Sequence, residues 1–164
     1  MADLTKLEAK LGEVTGLAMA AQAATKKVIG LSRKENGELV SNLQQMNREA
    51  AETEARCKKL AGSFQGKKTA ILEEAKTTKA KAGEMMSTYL DVDADALDGF
   101  EFLTMAEAGE VGHWSVLGTL NETAANREIR QLVQWALPIQ QRHLQGVMAG
   151  SKLLAANEDP SEPA

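Results

Sequence analysis

Residues 39–64, LVSNLQQMNREAAETEARCKKLAGSF, carry the reading that decides the fold. Leu39, Leu43, Met46, Ala50, Thr53, Cys57, Leu60 and Phe64 recur at alternating steps of four and three. A helix turns once in about 3.6 residues, so this spacing keeps one seam on one side, as in helices that cross at a shallow angle. The stretch Gly62 to Gly66 closes the segment. Upstream, Leu4, Leu7, Leu11, Val14, Leu17, Ala21, Ala24 and Val28 make a similar stripe, stopped by the polar run Arg33 to Gly37. Downstream, Ile71, Ala75, Thr78, Ala82, Met85 and Tyr89 mark a shorter segment. Its lysines read either as a solvated face or as an anion-binding surface.

Asp91, Asp93 and Asp95 stand at the next boundary, placed well for the start of a helix. They lack the glycine and the closing glutamate of a calcium loop. A third long helix is expected from about Asp95 to Asn121 and a fourth from about Asn126 to Ala156, with residues 157–164 as a disordered tail. The expectation is an all-α chain with one domain over residues 1–156. Four long helices would form an antiparallel bundle, with a shorter helix between the second and third.

Composition narrows the function classes. The chain has 164 residues, enough to bury one core, and 19 basic against 23 acidic side chains, for a net charge of −4. That balance speaks against nucleic-acid binding, which asks for a basic face. No apolar run approaches the about 18–20 residues that span a bilayer. The charged N-terminal stretch lacks a signal-peptide apolar core, so the expected location is cytoplasmic. Cys57 lies alone on the second seam, where a thiol is buried and inert, and no glycine-rich phosphate loop appears.

The chemistry lies where polar residues interrupt apolar seams. The third seam runs Phe100, Leu103, Glu107, Glu110, Trp114, Leu117; the fourth runs Ile129, Val133, Ala136, Gln140, His143, Val147. A buried carboxylate is costly unless it is neutralised, paired or bound to a cation. With the last turn near Ala124–Ala125, Glu107, Glu110, Gln140 and His143 fall at one height. With the first turn near Asn36, Gln22 comes level with Ala50, near Glu49, Glu52 and Glu54. Glu110 and His113 form a Glu-x-x-His pair, yet His113 and His143 differ in height by about 10 Å at 1.5 Å of rise per residue. His113 therefore reads as a hydrogen-bonded packing residue. Trp114 and Trp135 come out level, which predicts an aromatic contact between the last two helices. Pro138 marks either a kink shaping a site or a helix broken for packing.

Mid-helix carboxylates with a Glu-x-x-His on alternate helices resemble the ferritin-like superfamily, most closely its Yci-type ferritin-like family of bacterial stress proteins. The likeness rests on Ala50-Ala51-Glu52-Thr53-Glu54 with Leu60, on Phe102-Leu103, Glu110 and Leu117-Gly118-Thr119-Leu120, and on Leu132-Val133. It implies a bundle, often dimeric, with a di-metal site of iron, manganese or zinc between the helices. Carried over, the first-helix ligand falls on Gln22. The second-helix pair falls on Ala51 and Glu54, or shifted on Glu49 and Glu52. The third-helix ligand is Glu110, and the fourth-helix pair is Gln140 and His143, with Glu107 in support. The other reading needs no metal: the same residues form a buried hydrogen-bonded network in a structural or interaction bundle.

Overall fold

The computed structural model describes residues 2–162, and the described chain is five helices with no strand. They are α1 (Lys6–Leu31), α2 (Gly37–Ala61), α3 (Lys68–Tyr89), α4 (Ala96–Ala124) and α5 (Arg127–Ala155). Each boundary has a local cause. Thr5 and Glu8 form a capping box on α1, and Asp95 and Asp98 form one on α4; the Asn36 and Asn126 side chains accept from the first-turn amides of α2 and α5. These side chains satisfy amides that have no partner inside the helix. The acidic run before α4 thus does the capping expected of it. Ala125, at φ 53°, makes the left-handed turn that folds α5 back on α4.

α1 packs against α2, α3 and α4, while α5 packs against α4 and α2. Contacts at glycines fix the directions. A Cβ on Gly12 would meet Ile71 and Glu74, and one on Gly16 would meet Ala75 and Thr78, so α1 and α3 run parallel. Gly99 sits against Val28 and Leu31, so α4 starts where α1 ends. Gly150 faces Phe100 and Leu39, and Glu49 faces Arg142, so α5 runs opposite to both α4 and α2. The connecting helix α3 is shorter, with 22 residues against 25 in α2, and buries only Ala70, Ile71 and Ala75.

The core is split in two. One apolar cluster holds Val28, Leu43, Met46, Phe100, Leu103 and Val147; the other holds Leu11, Val14, Cys57, Trp114, Leu117 and Ile129. Between them lies the band of Glu107, Glu110, Gln140 and His143. Ala18, Ala21 and Ala24 are buried inside the chain. α5 continues unbroken through Pro138, which leaves the Gln134 carbonyl without its intrahelical donor. Residues 157–162 are exposed and turn about Asp159; Pro163 and Ala164, the end of the expected tail, lie outside the described residues.

One expected contact fails. Trp114 is fully buried, but Trp135 turns toward α2, where the Arg56 guanidinium lies 4.1 Å from its ring centroid. Equal height did not bring the two indoles together because they leave their helices in different directions. The aromatic pair among the described residues is Tyr89–Phe102, with centroids 6.1 Å apart.

Candidate functional site: a histidine between two carboxylates

The two-residue link between α4 and α5 sets their register, and it brings the expected four residues together. The Gln140 amide nitrogen, turned to give the carboxyls a donor, donates to Glu107 Oε2 at 2.9 Å and to Glu110 Oε2 at 3.2 Å. His143 Nδ1 lies 3.6 Å from Glu107 Oε2. From α2, Glu49 completes the chain: its Oε2 is 2.5 Å from His143 Nε2. Arg142 Nη2 donates to both Glu49 oxygens at 2.6 Å, and Gln45 adds a hydrogen bond at 2.9 Å. The result is one path from a surface guanidinium to the molecule's centre: Arg142, Glu49, His143, Glu107, Gln140, Glu110.

Burial sets the proton positions along this path. Glu107, Glu110, Gln140 and His143 are each 5 % exposed or less. Burial first, and the neighbouring Glu107 charge second, hold the Glu110 carboxyl well above the usual carboxylate range. Burial alone would push His143 down, but Glu107 and Glu49 overcome it and raise the imidazole above its ordinary value. Burial likewise opposes ionisation of Glu49, and bonds from Gln45, His143 and Arg142 win, holding it below the usual range. A charged imidazole, hydrogen-bonded to Glu49 and in ion-pair contact with Glu107, leaves the band with little net charge once Glu110 holds a proton.

The other expected residues go elsewhere. Gln22 Nε2 donates to Glu54 Oε2 at 2.5 Å, and Lys58 pairs with the same carboxylate. Glu52 turns to solvent and pairs with Arg56 at 2.7 Å. His113 is hydrogen-bonded as expected, though half-exposed, with Nδ1 3.3 Å from Lys10 Nζ and 3.0 Å from the Glu13 carboxylate of α1. Glu-x-x-His spacing on α4 therefore brings Glu110 and His113 to different surroundings. Sequence reasoning missed Arg142; its position beside His143 was the available signal.

A two-metal centre asks for about four carboxylates and two histidines converging on one space. Here His143 faces a carboxylate from each ring nitrogen, so Glu49 and Glu107 lie on opposite sides of the ring. Among the described residues no three His, Cys, Asp or Glu side chains group as metal ligands. The residues present do not fit a two-metal centre.

Cys57 sits beside this band. Burial raises its thiol to about 12, with the neighbouring Thr15 hydroxyl acting the other way. At pH 8 the native protein should show no reaction with a disulfide-exchange reagent over hours, and one thiol should react at once in denaturant. Prompt labelling of the folded protein would mean that α1 and α2 open locally at Cys57.

No helix among the described residues is long and apolar enough to cross a membrane. Compared with known protein families, curated proteins and solved structures, the chain matches none.

Proposed function

We propose that this chain is a non-catalytic helical-bundle protein of ferritin-like arrangement, whose central polar band holds protons in place of a metal ion. The two hairpins α1–α2 and α4–α5, with α3 returning the chain between them, support the arrangement. The observation that carries the functional reading is His143 set between Glu49 and Glu107. An imidazole with a carboxylate at each nitrogen is favoured in its charged form, bonded to Glu49 and paired in charge with Glu107, whereas a metal ligand must keep one nitrogen's lone pair free.

Such a band fixes register. Sliding α5 by one turn against α4 would leave Glu107 and Glu110 without donors in a dry interior, and sliding it against α2 would take Arg142 and His143 from Glu49. The cost of misalignment makes the band a device for selecting one helix arrangement, in this chain and in any self-association. A dimer remains part of the reading, tested by mass in solution.

The test is metal dependence. Protein stripped with chelator and then supplied with Fe²⁺, Mn²⁺ or Zn²⁺ should melt at an unchanged temperature. A bound ion at a hundred times its dissociation constant would add about 2.7 kcal/mol, which a melting curve resolves easily. A saturable rise with any of these ions, lost in His143→Ala, would overturn the proton reading and restore the metal one.

A further inference from the structure

α3 approaches α1 closely at one end and stands away at the other. Gly12 and Gly16 allow contact with Ile71, Ala75 and Thr78. Beyond them no residue of α3 before Leu90 is buried, and a Cβ on Gly83 would meet nothing within 4 Å. The divergence leaves a cavity of about 250 Å³ between α1, α3 and α4. Its walls are small or apolar: Ala20, Ala24, Ala82, Met86, Phe102 and Ala106. Glu107 and Glu110, 2 % and 3 % exposed, also line it, as its most deeply buried charged residues. Gln140 gives a donor to one oxygen of each carboxyl, and no hydrogen bond among the described residues reaches the other oxygen.

We infer that this cavity binds a small organic cation, an ammonium group on an apolar body, with its charge against Glu107 and Glu110. Apolar walls with a few convergent polar groups are the ordinary make-up of a ligand site. The volume lies below the roughly 300–1,000 Å³ of drug-sized ligands, which limits the body to a short alkyl or single-ring group. The sign follows from these carboxyls. An ammonium donates to the free carboxyl oxygens and takes the place of the Glu110 proton, which leaves to solvent. An organic anion would meet the Glu107 charge there. Lys79, exposed at the mouth, could hold its head only by laying an apolar tail over the two carboxyls. His113, which also lines the cavity, is held by Lys10 and Glu13 of α1.

The inference rests on the proton reading, because a resident metal ion would occupy both carboxyls. The experiment is calorimetric titration of chelator-treated full-length protein with hexylammonium, hexanol and hexanoate, alongside Mn²⁺. Hexylammonium should bind saturably, about tenfold or more tighter than hexanol, with no binding of hexanoate. Glu110→Gln should weaken hexylammonium by about tenfold or more while leaving hexanol unchanged. Ala82→Leu, which fills the cavity from α3 and leaves the polar band intact, should abolish binding of both. Equal affinity for hexylammonium and hexanol, or full affinity in Glu110→Gln, would overturn the cation assignment. Where Glu110→Gln does not fold, undiminished binding to Ala82→Leu overturns it. No response to any ligand or to Mn²⁺ overturns this inference alone, whereas Mn²⁺ binding without hexylammonium binding overturns the proton reading as well.

Discussion

His143→Ala is expected to lower the stability of the folded chain by about 3–5 kcal/mol, the range for removing one member of a buried ion pair. Truncation takes away the positive charge beside Glu107, which is 2 % exposed and keeps only the Gln140 amide, and one donor to Glu49, which keeps Arg142 and Gln45. The larger part of the loss therefore comes from Glu107. For a chain of this size the melting temperature should fall by about 6–20 °C, at roughly 2–4 °C per kcal/mol. Adding Glu107→Gln to His143→Ala should recover part of it, since the stranded charge is gone, and the two changes should be far from additive. Urea unfolding of the wild type, both single variants and the double variant checks this. Losses that simply sum would mean that His143 and Glu107 do not act as a pair.

The same residue gives the pH dependence a sign. The folded imidazole holds its proton more tightly than the unfolded one. Its contribution is fully present below the unfolded value of about 6.5 and is lost as pH rises through the raised folded value. Glu110, also raised, adds to the fall, because its folded form keeps a proton that the unfolded form releases above about 4.3. Wild-type stability should therefore decline from mildly acidic toward alkaline pH. His143→Ala should show a shallower decline, with the Glu110 part left.

Much of this was legible in the sequence, for reasons particular residues make plain. The α2 seam from Leu39 to Leu60 is buried as its spacing predicts, because a heptad leaves little freedom over which side faces inward. Glu107, Glu110, Gln140 and His143 met at the expected height because a two-residue link leaves little room for error in register. The choice among Glu49, Glu52 and Glu54 was not legible. Each residue turns the side chain by about 100°, and a height error of two or three residues is enough to confuse the three. Glu49 reaches His143, Glu52 faces solvent and Glu54 faces Gln22. Trp135 shows the same limit: its height was right and its direction was not. The signal that went unused was Gly12 and Gly16, four residues apart on α1, a spacing that lets two backbones meet.

That spacing carries the second large effect. Gly16→Ala should destabilise the chain by about 2 kcal/mol or more, although alanine is the better helix former by up to about 1 kcal/mol. A Cβ at Gly16 would stand 2.3 Å from the Ala75 carbonyl oxygen and 2.7 Å from Thr78 Cβ. The first of these is backbone in mid-helix, so no rotamer change relieves it, and α3 must move off α1 as a unit. Gly30 is the control on the same helix: a Cβ there meets nothing within 4 Å, so Gly30→Ala should instead stabilise by about 0.5–1 kcal/mol. Opposite signs from one substitution at two positions of α1 isolate the helix contact from helix propensity. Hydrogen exchange should locate the damage, with faster exchange through α3 in Gly16→Ala and little change in α5, which has no contact with α3. If Gly16→Ala stabilised the chain as Gly30→Ala does, α1 and α3 would lie farther apart than the contact at Ala75 requires. The cavity beyond it would then lose its closed end.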